Sequence, residues 1–375
     1  AGLPGVILGF NQEIAWGATT TGYDVTDVYE ETLIADGSGV IFEGKAVPFE
    51  TIDEVIVIQN SEPYTYKVRV VPHHGPIQPT IDKDHRVVDP DPAKGALSVR
   101  WTGHEVTNDL DGVLGLLRAK NVDEAREALK AFDVGAQNWM IADTQGDILW
   151  TSHALLPLRD KRAFTWDPAS HTGTLPCFVL PGDGSAEWKG YLADDLVPWE
   201  KNAPNGYIAT ANNDPLGDTL DNDPSNDVLP DGAPMFTACT FDPGFRQARI
   251  QERLETTPGP LTPEDMAAIQ GDVRSALGAR LVPRLIDALD RASEERKNPG
   301  VHPDLGLVTQ DPAYDAGVMD TVRALLANWQ DNLGYEAASG INPDDNAPLD
   351  PSTPEAQAAQ ATLVFNTWLV RVLRR

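Results

Sequence analysis

Cysteine is almost absent: Cys177 and Cys239 are the only two in 375 residues. A pair permits one bridge at most and has no metal-ligand spacing, which excludes a disulfide-dense scaffold and a zinc ribbon. One bridge and two buried thiols both remain open. No apolar run reaches 18 residues, so no helical membrane span is expected. Basic residues are scarce, 29 Lys and Arg against 57 Asp and Glu, for a net charge of −28. That excess repels phosphate backbones and anionic lipid, so neither nucleic acid nor a membrane is an expected partner. It fits cation binding, a substrate that is not a polyanion, or salty surroundings. GxSxG, HExxH, Walker A and GxGxxG patterns are all missing, which removes the warrant for a nucleophile elbow, a zinc protease, a phosphate cradle and a dinucleotide site.

What is present changes character along the chain. The first hundred residues are short β-branched and aromatic runs (EIAWGAT, DVYEETLI, GVIFEGKAVPFET, EVIVIQN, YTYKVRVV) punctuated by Asn, Asp, Gly and Pro, and predict a meandering sheet. Residues 121–132 predict a helix with Asp123 and Glu124 at its positive end. Residues 137–152 alternate around Thr-Gln-Gly-Asp and predict a hairpin. Residues 158–234 read as a loop-rich insert: 158–206, rich in Pro, Gly and Asp, are surface loops or a substrate-facing elaboration, and 212–234, dense in Asp, Asn and Pro, need a cation or a neighbouring domain to order them. The last third is helical, with Thr262 before Pro263 as one helix start. Residues 1–254 thus form a sheet-rich core and residues 255–375 a helical part, an α+β layout with no firm linker.

Chemistry-bearing residues are few. His73 and His74 adjoin in VVPHHGPI, and neighbours on an extended strand point to opposite faces, which argues against shared metal ligation. Asp24 and Asp27 lie three apart around Thr26, with Asp221 and Asp223 in a distant second cluster; such carboxylates plus a carbonyl make an oxygen cage for Ca²⁺ or a solvated acidic turn. GYIATANNDP delivers Asn212 and Asn213 at the end of a β-like run, where an amide can donate to an oxyanion or cap a turn.

These signals fall into one order. PGVILGFNQEIAWGATTTGYDVTDVYEETL (residues 4–33), HHGPI, AQNWMIADTQGDILWTSHALLPLR, LPGDGSAEWKGY, GYIATANNDP and PGFRQARIQERL resemble, block by block, the β-subunit of the penicillin acylase family, amidases of the N-terminal nucleophile hydrolase superfamily. The resemblance implies a four-layer αββα fold and hydrolysis of linear N-acyl amides through an acyl-enzyme. β-Lactams, acyl-homoserine lactones or lipopeptides are the substrate types. In the family a hydroxyl or thiol residue, freed as a new N-terminus by precursor cleavage, attacks with its own α-amino group as base. Ala1 has no such side chain, so the chain reads as an internal fragment, truncated, lacking the α-subunit and inactive alone.

Residue by residue, the resemblance makes Asn212 the side-chain oxyanion donor, Thr20 the backbone N–H donor and Arg246 the arginine that orients them. Asp24, the Thr26 carbonyl, Asp27 and Asp223 fall on structural Ca²⁺ positions, with Asp221 a rival to Asp223. Ile7, Leu8 and Ala18 fall on the acyl pocket and imply a roomy, aliphatic-tolerant one. No organic cofactor is expected. The family's setting is periplasmic or extracellular. The alternative is a non-catalytic, calcium-stabilised binding or structural protein on the same scaffold.

Overall fold

A computed structural model describes residues 5–374. Ala1 and Pro4, where the expectations about the chain start and its first block begin, lie outside them. The chain divides into two compact units, Ala1–Gly244 and Phe245–Arg375.

In the first unit a five-stranded antiparallel sheet runs in the order Gly9–Phe10, Ile14–Thr20, Gln137–Asp143, Ile148–Thr151, Trp199–Lys201. Gln137–Asp143 and Ile148–Thr151 form the hairpin that the alternating pattern predicts. The period of two splits the sheet's faces. Ile14, Trp16, Trp139, Ile141 and Leu149 pack with Leu116, Val122, Ala125 and Leu129 from helices Asp109–Leu116 and Val122–Leu129. Fully burying a side chain such as Leu129 contributes about 1.5–3 kcal/mol, so this face anchors the sheet. Val122–Leu129 starts where the sequence places it: the Asn121 side chain accepts from the Glu124 N–H at 2.8 Å, satisfying an orphan donor. On the opposite face lie Thr19 and its cross-strand partner Asn138.

The expected single meander is not formed. Strand Thr26–Glu31 instead pairs antiparallel with Ala96–Trp101 and parallel with Val179–Pro181, so partners come from 70 and 150 residues away. Gly39–Phe42 with Lys45–Pro48, and Glu50–Ile56 with Tyr64–Val71, make separate hairpins. Alternation specifies which residues strand pairing buries and leaves open which strands pair.

The loop-rich stretch is held by its own chemistry. Cys177 and Cys239 are bonded, with Cα atoms 5.5 Å apart, closing a loop across 62 positions. Within it the Asp214 carboxylate accepts from the N–H groups of Leu216, Gly217 and Thr219 and from the Thr219 hydroxyl, at 2.7–3.0 Å. Burial alone would raise the Asp214 pKa; these bonds outweigh it and hold the carboxyl below its ordinary range. Acidic side chains that look like a disorder signal act here as turn-forming acceptors.

The second unit is helical: Phe245–Thr256, Pro263–Gln270, Ala276–Lys297, Gly306–Thr309, Ala316–Asp331 and Pro354–Leu373. Its boundary falls ten residues before the sequence-based one and gives the whole Phe245–Thr256 helix to this unit. Thr262 and Asp265 close a capping box with Pro263 in the first turn. Trp329, Leu326, Val282, Ala361 and Phe365 make the core. No helix among the described residues is long and apolar enough to cross a membrane.

Candidate active site

Asn212 sits in the left-handed region at φ 61°, which Asn tolerates better than most residues. This aims its carboxamide at the end of the Ile14–Thr20 strand. Its Nδ2 donates to the Thr20 carbonyl at 2.6 Å and to the Thr19 hydroxyl at 2.8 Å. The Asn212 carbonyl takes the Asp242 N–H at 3.0 Å, pinning the backbone. Asn212 and Thr20, 192 positions apart, are thus brought together.

A second amide, which the sequence reading passed over, joins them. Asn138 is fully buried and donates to the Thr20 carbonyl and to the Thr210 hydroxyl, both at 3.3 Å, while its Oδ1 accepts from the Trp150 indole at 2.8 Å. The available signal was a polar residue inside the apolar alternation of AQNWMIA. Two carboxamides therefore converge on one strand-end carbonyl, one from the buried Asn138 and one from the partly exposed Asn212.

The other expected residues each lie within their own unit. Arg246 lies in the first turn of Phe245–Thr256, in the second unit. Ile7 and Leu8 are 41% and 58% exposed and outside any strand, and Ala18 packs into the helix-side core opposite Trp139.

Asp27 is fully buried, and Arg159, equally inaccessible along its side chain, meets it edge-on: Nε to Oδ2 at 2.7 Å and Nη2 to Oδ1 at 3.2 Å. The Trp188 indole donates to the same Oδ2. The guanidinium also donates to the Asp24 carbonyl at 3.0 Å and lies over the Phe236 ring. A bidentate guanidinium thus occupies the carboxylate that the cation reading needs. Asp24 and Thr26 line an open pocket of about 480 Å³ beside the disulfide, with Pro176 on its wall. Burial pushes the Asp24 carboxyl up to about 6, against the pull of Arg159. Asp223 accepts from the N–H and hydroxyl of Ser225, and Asp221 from the Asp223 N–H and Asn226. Among the described residues, Asp24, Asp27 and Asp223 form no three-ligand group of His, Cys, Asp and Glu side chains.

His73 and His74 do not lie on a strand. They occupy the turn between Tyr64–Val71 and Gly75–Pro76, and a turn removes the alternation that would have parted their rings, whose centroids are 4.4 Å apart. His74 is buried with Nδ1 2.7 Å from Glu31 Oε1 and Nε2 2.8 Å from Glu187 Oε1. Burial opposes its protonation, but the two carboxylates prevail and raise its pKa.

Comparison with known proteins agrees with this frame. All of residues 1–375 match the penicillin amidase family. The chain is 31% identical over 221 residues to acyl-homoserine lactone acylase QuiP of Pseudomonas aeruginosa, covering 56% of this chain and 24% of that protein. It is 32% identical over 219 residues to penicillin G acylase of Escherichia coli, covering 57% and 23%. With penicillin acylase 2 proenzyme of a Pseudomonas species it shares 26% over 314 residues, covering 82% and 35%. The chain therefore spans about a quarter to a third of these relatives' lengths. Its fold is similar to that of a thermostable penicillin G acylase from Alcaligenes faecalis, with a TM-score of 0.57 and 24% identity over 86% of this chain and 48% of that one. A family match along the whole sequence, together with this likeness of fold, makes the chain a member of the penicillin amidase family.

Proposed function

We propose that this chain supplies the oxyanion-stabilising part of an acylase that hydrolyses linear N-acyl amides. The observation that carries the reading is the Asn212 carboxamide held within 2.6 Å of residue 20 by a left-handed backbone. In the reaction a hydroxyl or thiol nucleophile attacks the amide carbonyl, the tetrahedral oxyanion takes an N–H from Asn212 and the backbone N–H of Thr20, and the amine leaves. Water then releases the acyl group. In the resting structure both Nδ2 protons are given to Thr19 and Thr20, so a small rotation of the amide exchanges the Thr20 carbonyl for the oxyanion. Asn138 stays on that carbonyl and keeps it satisfied. Arg246 is assigned the orienting role by its family block.

The nucleophile is not among the residues matched to family blocks. We therefore assign activity to a longer, proteolytically matured precursor, exported to the periplasm or beyond, and none to this chain alone. Ile7 and Leu8 offer an exposed apolar surface for an acyl chain, whereas Ala18 is part of the helix-side core. Named relatives act on penicillin G and acyl-homoserine lactones, and an N-acyl substrate of either type suits this reading. Calcium, on the same reading, is held by Asp24 and the Thr26 carbonyl without Asp27, whose carboxylate Arg159 already neutralises; no step is routed through it. The test is a panel of chromogenic N-acyl amides offered to the matured precursor with its nucleophile intact and replaced by Ala. Equal turnover by the two would sink the mechanism.

A further inference from the structure

The turn holding His73 and His74 meets the end of strand Thr26–Glu31, and ligand-type atoms of Glu31, His73 and His74 all lie within 4.8 Å of one another. Glu31 and His74 are fully buried. Glu31 Oε1 is satisfied by the Ser98 hydroxyl at 2.7 Å and by His74, yet its second oxygen, Oε2, is buried with no hydrogen-bond partner among the described residues, and so is His73 Nε2. Two orphaned polar atoms in one dry cluster have surrendered water for nothing, a rare state in a folded protein.

Two further features fit a ligand there. Glu187 sits on His74 Nε2 at 2.8 Å, with Arg100 on its other oxygen at 3.5 Å, which turns Nδ1 toward Glu31; a carboxylate behind a histidine is the usual orienting device of a metal-bound imidazole. Tyr29 stacks on His74 at 3.7 Å and Phe42 covers His73 at 3.8 Å, fixing both rings.

We propose that Glu31, His73 and His74 form a binding site for a divalent transition-metal ion of the zinc type. Two imidazole nitrogens and one carboxylate match a borderline-soft cation, whereas Ca²⁺ demands six or more oxygens. On binding, His74 coordinates through Nδ1, giving up its bond to Glu31, and keeps its donation from Nε2 to Glu187. The ion then ties the 72–74 turn to the Thr26–Glu31 strand and offsets the charge of two carboxylates. This proposal is independent of the amidase reading.

The test uses the tag-free chain, stripped with chelator, and Zn²⁺ itself as the probe. Equilibrium dialysis followed by metal analysis is expected to give one tightly held zinc per chain and a rise in Tm. Co²⁺ is expected to give visible absorption bands of low coordination number. His73→Ala, which removes an Nε2 without a hydrogen-bond partner among the described residues, is expected to lose both the zinc and the Tm response while keeping its far-ultraviolet circular dichroism; Glu31→Gln is a second ligand variant. Weak, unsaturable uptake by the wild type, or one zinc retained equally by His73→Ala, would overturn the proposal.

Discussion

Replacing Arg159 by Met removes the partner of a carboxylate that cannot reach water. Asp27 would keep only the Trp188 indole, and the Asp24 and Pro157 carbonyls would each lose a donor. Breaking a buried pair from one side costs about 3–5 kcal/mol. In a unit of 244 residues each kcal/mol moves Tm by about 2–4 °C, so the expected drop is about 6–20 °C. The Asp27→Leu, Arg159→Met double variant removes both charges and should recover most of the loss, because the penalty belongs to the stranded charge and not to missing attraction. Urea titration followed by tryptophan fluorescence completes the cycle. Millimolar Ca²⁺ serves as a second probe: if Asp27 is a guanidinium partner, calcium leaves the Arg159→Met deficit largely in place. A single-variant cost below about 1 kcal/mol, or equal costs for single and double variants, would refute this account, since a buried unpaired carboxylate cannot be that cheap.

The raised Asp24 carboxyl gives a pH signature. With its folded pKa above its unfolded one, Asp24 contributes stability that is fully present below pH 3.8 and lost as pH rises through about 6. Asn lacks that loss, so Asp24→Asn should gain about 3 kcal/mol on the wild type between pH 3.5 and 7.5 in urea titrations; a gap that does not change with pH would argue against a desolvated carboxyl. Opening the Cys177–Cys239 loop by replacing both residues with Ser should cost about 4 kcal/mol, read as a lower urea midpoint, and an unchanged midpoint would mean that the Asp214 turns alone order the segment.

Periodicity and capping were legible in the sequence. The Gln137–Thr151 hairpin, the helix start near Asn121 and the helix start at Thr262 are local, decided by residues within a few positions of one another. Pairings over long separations were not. Nothing near Asp27 announces that its partner is Arg159, 132 positions on, so an acidic pair read as an oxygen cage turns out to include half of a buried ion pair. His73 and His74 misled for a different reason: the alternation rule holds on strands, and Pro72 to His74 form a turn. The Asn- and Asp-rich stretch after Asn212 looked unstructured because composition counts charges without showing the N–H groups that Asp214 collects. The family blocks brought Asn212 and Thr20 together as candidates, but Asn138 stayed hidden inside one such block as if it were a strand residue like any other.

The amide-hydrolase reading stands or falls with Asn212. In the matured acylase, Asn212→Ala is expected to lower kcat for an N-acyl amide by about 100- to 1,000-fold, with KM little altered, because the amide N–H passes from the Thr20 carbonyl to the oxyanion only as the tetrahedral state forms. Thr20→Ala, which keeps its backbone N–H, should stay within about twofold of the wild type. Full activity in Asn212→Ala, or equal losses in the two variants, would contradict the account.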